Sequence, residues 1–332
     1  MGNTKVRRPV AVLAIALCAV LLPITAVAWV PVGMVVDAAR RRFRFPVVRL
    51  LAFATTWAWL ELLGVTSAAW LFLTGQKSRI DLYYKVQAWW CRNVVRSLNR
   101  LVGLRFEVDG ADNLGTGPFV LLGRHVSLAD AVMSSWVVGS LMKKNPRYVL
   151  KNELKMDPCL DIFGHRLPNY FVDRNSSDIA VELQGIQQMG QNLGVNDVAV
   201  IFPEGSRAND KKREERVRAL REKSSARVAQ MQQLRYLIPP KPAGASALLQ
   251  AVTSAHVITL AHSGLEGLDS FGAILKNFGR HVVRVRVTLT KHDRSTIPSG
   301  EAFVAWLDDQ WVKMDHIVQS QISLTSQAGS FP

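Results

Sequence analysis

The sequence predicts an α/β fold: a largely parallel sheet flanked by helices, preceded by a membrane-embedded pair of apolar helices. Three observations carry that prediction. Strand-like apolar runs alternate with helix-like segments from Leu104 onward. Two long apolar stretches come first. Polar, chemistry-bearing residues collect where the strand-like runs end. The boundaries that follow are residues 1–79 for the helix pair and 80–332 for the α/β part, with a basic insertion at 207–235.

Pro9 to Val36 is 28 residues without a charge, about 42 Å if wholly helical. Leu50 to Gln76 is a second apolar stretch, interrupted only by Glu61. Each exceeds the roughly 20 residues that cross a bilayer. Three readings are open. One is a signal peptide, with Lys5, Arg7 and Arg8 before the apolar run and Ala26-Val27-Ala28 as a cleavage-like site. Trp29 to Val36 stays apolar, however, and a dense basic run follows. The others are two transmembrane helices, or a pair embedded in one leaflet. All three flanks are basic (the N-terminus, Arg40–Arg49, Lys77 with Arg79), so the positive-inside rule does not choose between these two. Glu61 is costly at the bilayer centre and favours a shallow position. Asp81 to Leu104 mixes apolar and basic residues at helical spacing, as in an amphipathic helix or a surface helix on the core.

The charge balance supports a membrane partner. The 332 residues carry a net charge of +15. The first hundred hold fourteen basic and three acidic residues, whereas 151–206 hold four basic and eight acidic. Much of the positive excess thus sits on the most apolar part of the chain, as expected beside anionic lipid. A nucleic-acid binder places it on a polar surface or tail, and no zinc-finger, RRM or KH pattern occurs. The three cysteines, Cys18, Cys91 and Cys159, are scattered and include no CxxC. That argues against a disulfide framework or structural zinc and for a reducing compartment.

In the α/β part, strands are expected at Phe119–Leu122, Tyr148–Leu150, Tyr170–Val172, Val198–Phe202, Val257–Ala261 and Val282–Leu289. Helices are expected at Leu128–Leu141, Ser176–Leu193, Ala245–Val252 and Glu301–Gln319. The stretch Arg207 to Arg235, with ten basic and four acidic residues, reads as a solvated helix or a mobile insertion.

Phosphate-loop, dinucleotide, HExxH and GxSxG motifs are absent. Cys159 suits a buried structural thiol better than a nucleophile. The informative stretch is Gly123-Arg124-His125-Val126-Ser127-Leu128-Ala129-Asp130, between a strand and a helix, where open α/β sheets bind ligands. With His125 in the loop and the helix beginning at Ser127, Asp130 can turn back to the imidazole. It then fixes the tautomer and frees the other nitrogen as a base. Ser127-x-x-Asp130 equally resembles a capping box. A second strand end carries Phe202-Pro203-Glu204-Gly205-Ser206-Arg207, and a third carries Phe171-Val172-Asp173-Arg174. Glycine allows close approach and arginine offers a forked donor to phosphate. His165 is the nearest competing base, but it lies away from the strand ends and lacks an aspartate five residues on.

Taken together, His125-x4-Asp130, Phe202 to Arg207, Lys151-x-Glu153-Leu154 with Pro158 and Gly164, and Phe171-x-x-Arg174 resemble the glycerolipid acyltransferases, specifically the 1-acyl-sn-glycerol-3-phosphate acyltransferases. Leu237 to Gly244 is similar to the lysocardiolipin acyltransferase-like subgroup and its bacterial relatives. The resemblance covers roughly residues 80–320. It implies acyl transfer from acyl-CoA or acyl-carrier protein to the sn-2 hydroxyl of lysophosphatidic acid, giving phosphatidic acid, without metal or cofactor. His125 and Asp130 would be catalytic. Lys151, Arg174, Glu204, Gly205, Ser206 and Arg207 would bind substrate, and backbone N–H groups near the helix start would hold an oxyanion. Activity on another lysophospholipid, or a catalytically silent membrane-binding protein, are the alternatives. Many family members carry Asn where this chain has Arg124, a departure that points to an altered headgroup preference. The implied location is the cytoplasmic face of a membrane, the inner membrane in a bacterium.

Overall fold

A computed structural model describes residues 4–173, 176–222, 225–268, 274 and 283–328. The chain divides into two units. The first comprises Met1–Arg105, Leu150–Arg174 and Leu275–Val283; the second comprises Phe106–Val149, Asn175–Ile274 and Arg284–Pro332.

In the first unit, α1 (Thr4–Ile24), α2 (Ala26–Ala39) and α3 (Pro46–Leu73) supply the apolar stretches, and α4 (Ile80–Ser97) follows. Two of these, α1 and α3, are long and apolar enough to cross a membrane. Their helicity needs little explanation: both are rich in Ala and Leu, and Pro46 sits in the first turn, where no N–H is lost. The connection between α2 and α3 is closed by Asp37, which accepts a hydrogen bond from Val47 N at 2.9 Å. The same unit contains α6 (Pro158–Arg166), whose N-cap Asp157 accepts from Leu160 N, and the short strand β4 (Tyr170–Val172). Ala68 and Leu71 of α3, Tyr83 and Tyr84 of α4, and Cys159, Phe163 and Leu167 form its buried cluster. Gly64 admits the Cys159 sulfur: a Cβ there would lie 2.5 Å from Sγ.

The second unit is built on the sheet. Its strands are β1 (Leu104–Asp109), β2 (Phe119–Gly123), β3 (Asn145–Lys151), β5 (Asp197–Ile201), β6 (His256–Ser263) and β7 (Val283–His292). The order is β1-β7-β6-β2-β5-β3-β4, in which β4 and the last two residues of β3 belong to the first unit. β2 lies at the centre, parallel to β5 (Phe119↔Val198) and to β6 (Phe119↔His256); β3 is parallel to β5, and β7 is antiparallel to β6. Phe119 to Leu122 and Val198 to Val200 are wholly buried, the pattern of strands covered on both faces. The helices are α5 (Asp130–Trp136, continued by a π-turn to Leu141), α7 (Ile179–Gly190), α8 (Asp210–Arg221), α9 (Ser225–Met231), α10 (Pro242–Ala251) and α11 (Gly300–Ala328).

The expected strands and helices recur within a few residues, except that α11 runs on past Gln319 to Ala328, and Val282 lies outside the described residues. Two differences are physical. β1 was not expected: Leu104-Arg105-Phe106-Glu107-Val108-Asp109 alternates as an edge strand does, but follows a helical pattern without a break. The helix after β2 begins at Asp130 rather than near Ser127, because Asp130 is occupied in closing the preceding loop.

Candidate active site

β2 ends at Gly123, and its register with β6 continues one residue further, Arg124 N donating to Leu260 O at 3.0 Å. His125 follows in the loop. Its Nδ1 lies 2.8 Å from Asp130 Oδ2. The same oxygen accepts from Val126 N at 2.6 Å and Ser127 N at 2.8 Å, and Oδ1 accepts the Ser127 hydroxyl at 2.5 Å. Asp130 therefore both closes the loop and holds the imidazole, but the expected capping box does not form: the helix has Ala129 as its N-cap, with no side-chain cap. With Nδ1 donating to the carboxylate, Nε2 is left as the basic nitrogen. It makes no hydrogen bond among the described residues, and the side chain is 16% exposed. Asp130 is completely buried. Burial opposes its ionisation, but the charges and hydrogen bonds of His262, His125 and Ser127 outweigh it and hold the carboxyl down at about 2.

The turn Phe202–Arg207 is joined to this loop. Ala208 N donates to His125 O at 2.7 Å, and the Phe202 ring packs on the His125 ring at 5.0 Å between centroids. Gly123 makes room for that ring, since a Cβ there would lie 2.7 Å from Phe202 Cε1. Gly205 has φ +68°, a left-handed conformation that glycine adopts without strain. The Arg207 guanidinium has no hydrogen-bond or ion-pair partner among the described residues, while its carbonyl accepts from Lys212 Nζ at 3.3 Å. Arg216 of α8 reaches back to the Glu204 carbonyl, and Arg227 of α9 pairs with buried Asp308. The described part of the basic insertion is thus helical and tied down by its own arginines.

Glu204 is fully buried, and its carboxyl group faces the His125 backbone N–H, the Trp311 indole and Arg124. Burial pushes its pKa up to about 8 against the opposing charge of Arg124. A proton bound more tightly in the folded state than in the unfolded one makes stability fall as pH rises. The window runs from the ordinary 4.5 to about 8. Glu204→Gln should remove its own share of that slope, at most about 1.4 kcal/mol per pH unit, and leave the share of other buried carboxyls such as Asp157, whose pKa burial also raises. Thermal unfolding followed from pH 5 to 8 checks this; the same slope in wild type and variant would assign it to another group.

One expectation needs correction. Arg124 is 1% exposed, and its guanidinium is occupied by the His262 carbonyl, Glu266 at 2.7 Å and the Tyr236 carbonyl at 3.2 Å. A buried charge so committed does not read a headgroup. The N–H groups of Val126 and Ser127 are taken by Asp130, and that of Ala129 by Ser127 Oγ, which leaves an oxyanion to the remaining N–H groups at the helix start. His165 has no aspartate five residues on, as expected; its Nδ1 is bonded to the Asp161 carbonyl at 2.7 Å, with Asp161 Oδ1 at 3.2 Å. That pair belongs to the first unit, where Arg7 and Arg8 also bind Asp161.

The structure brings His125, Asp130, Glu204, Gly205, Ser206 and Arg207 together in the second unit. Lys151 lies at the end of β3 in the first unit, and Arg174 falls outside the described residues. Cys159 is buried in the first unit, its Sγ 3.2 Å from the Glu61 carbonyl, and burial pushes the thiol pKa up, away from a nucleophilic thiolate. Sequence reasoning missed His262, at 0% exposure. The one signal was a histidine directly after the apolar run Val257–Ala261.

Residues 105–263 match the family model described as Acyltransferase. The 1-acyl-sn-glycerol-3-phosphate acyltransferase of Saccharomyces cerevisiae is 28% identical over 109 residues, 32% of this chain and 34% of the relative. The protein of the same name from Pseudomonas aeruginosa is 30% identical over 118 residues, 36% of this chain and 44% of the relative. The chain therefore matches less than half the length of either. The solved structure of the 1-acyl-sn-glycerophosphate (LPA) acyltransferase from Thermotoga maritima superposes with a TM-score of 0.48 at 16% identity, covering 77% of this chain and 93% of that one.

Proposed function

We propose, from the premise that the chain carries an acyltransferase-family domain at residues 105–263, that it acylates the sn-2 hydroxyl of lysophosphatidic acid to give phosphatidic acid. The observation that carries this reading is His125: Nδ1 is held by a buried carboxylate, Nε2 is open, and the unpaired Arg207 follows on the adjoining turn. His125 Nε2 takes the hydroxyl proton as the oxygen attacks the thioester carbonyl of acyl-CoA or acyl-carrier protein. A C–O bond forms, the C–S bond breaks, and the proton leaves with the thiol. Asp130 keeps the tautomer and stabilises the imidazolium. Arg207 binds the acceptor phosphate, while Glu204, Gly205 and Ser206 shape the turn that presents it. The thioester supplies the driving force, so the reaction needs no metal or redox group.

Purified protein offered acyl-CoA or acyl-carrier protein with a panel of lysophospholipids tests the reading. Lysophosphatidic acid should have the highest kcat/KM. A different preferred acceptor would make the protein a remodelling acyltransferase, and no turnover with any pair would leave a silent membrane-binding protein.

The helix pair, in this proposal, embeds in one leaflet on the cytoplasmic side. The support comes from α3, which meets other parts of the protein at both ends and in its middle. Arg49 Nε donates to Leu101 O at 2.6 Å, Glu61 accepts from Cys159 N at 3.3 Å, and Ala68 and Leu71 pack on Tyr83, Tyr84 and Phe163. A helix lined so along its length is not surrounded by lipid; its outward apolar face, with Trp59, Leu63 and Trp70 exposed, suits the interface plane. High salt should leave the protein in the membrane fraction and detergent should release it, because apolar burial is not screened. Release by salt alone would limit the attachment to the basic flanks.

A further inference from the structure

The fully buried His262, which the acyl-transfer scheme does not use, stands directly behind the His125–Asp130 pair. Its Nε2 faces two acceptors: the Arg124 carbonyl at 3.3 Å, one residue before His125, and Asp130 Oδ1 at 3.6 Å. Facing two acceptors, Nε2 carries the proton. Among the described residues Nδ1 has no partner, and it has no exposure, which suits a bare lone pair and not a second N–H, so the ring is neutral. The contact is reciprocal, because the Arg124 guanidinium donates to the His262 carbonyl. Glu266 closes the clasp, one oxygen on Arg124 and the other accepting from Gly264 N at 2.7 Å. Among the described residues, the charged groups facing His262 are Asp130 from α5, Arg124 from the end of β2 and Glu266 from the loop after β6.

We propose that His262 is a positioning residue for the reaction inferred above: its Nε2–H, bonded to the Arg124 carbonyl and lying 3.6 Å from Asp130 Oδ1, beyond a hydrogen bond but close enough to act as a dipole, holds the base and its carboxylate in register and tempers the pull of that carboxylate on His125. The assignment depends on that reading for its catalytic meaning but not for its test. A carboxylate that loses an N–H donor binds imidazolium more strongly. His262→Leu should therefore raise the pKa of His125 by about half a unit or more. The acid limb of kcat/KM should move up with it, and kcat should fall about tenfold, as for other groups that orient an acting imidazole. His262→Gln places an N–H donor where Nε2 was and should stay near wild type. His262→Asn carries its amide at the Nδ1 position and should behave like the Leu variant.

The His125 titration is read by NMR on histidine-labelled full-length protein in detergent micelles, which requires no turnover. Wild-type protein inactive with every donor and acceptor would defeat the acyl-transfer reading and leave this test standing. Identical His125 titrations in wild type, Leu and Asn variants would overturn the role given to His262. Where the Leu variant does not fold, the Gln and Asn pair decides, and equal titrations in those two overturn it.

Discussion

His125→Ala should lower kcat by about 10²–10⁴ while the protein stays folded, the loss that follows removal of a general base. The magnitude rests on geometry. Nε2 has no competing hydrogen bond among the described residues, and Nδ1 is fixed at 2.8 Å from a carboxylate that burial keeps out of water. The variant loses one hydrogen bond to Asp130, whose Oδ2 retains the Val126 and Ser127 N–H donors, so the loop keeps its closure. Asp130→Asn separates the two duties of that carboxylate. An amide oxygen can still accept from the three N–H groups, but no negative charge remains to stabilise the imidazolium. Activity should fall by a comparable factor while stability drops by no more than about 2 kcal/mol. Single-turnover rates and thermal unfolding of both variants measure this. More than roughly a tenth of wild-type kcat in the alanine variant would remove His125 from the chemistry. A large stability loss with activity intact in the asparagine variant would reduce Asp130 to closing the loop.

The strands β2 and β5 were legible because they are continuous apolar runs, buried on both faces, each ending in polar residues of unusual composition. The pairing of His125 with Asp130 was legible too, since a five-residue separation closes once the histidine stays in the loop. What was not legible depends on neighbours distant in sequence. His262 is 138 residues from Arg124 and meets it only because β6 lies beside β2. Arg124 read as a free charge near the site until Glu266 and two carbonyls were seen to occupy it. Which N–H groups near the helix start are already engaged was not legible either: a backbone donor's partner is set by where the nearest carboxylate folds, and here Asp130 folds back onto those of Val126 and Ser127. In the insertion, Arg216 and Arg227 bind backbone carbonyls and Asp308, partners that a count of basic residues does not reveal.

Arg207→Ala should raise KM for lysophosphatidic acid by about ten- to a hundredfold and change KM for the acyl donor little. A guanidinium–phosphate contact is charge-assisted and often bidentate, and losing it at a half-buried position costs about 1.5–3 kcal/mol. The side chain is available for such a contact because no carboxylate among the described residues claims it. Its backbone is fixed from both sides: Ala208 N bonds His125 O, and Lys212 Nζ bonds the Arg207 carbonyl. The phosphate would thereby be held at a set distance from the base, so binding and positioning are expected to fail together in the variant, with kcat also reduced. Arg207→Lys keeps the charge but not the planar fork, and should recover only part of the loss. Lys212 supplies an internal control, because Lys212→Ala removes a cation of similar position without a guanidinium and should affect KM less. Initial rates over a matrix of donor and acceptor concentrations separate these outcomes. Equal rises in both KM values, or none in either, would place the phosphate on other cations and leave Arg207 as a surface residue of the turn.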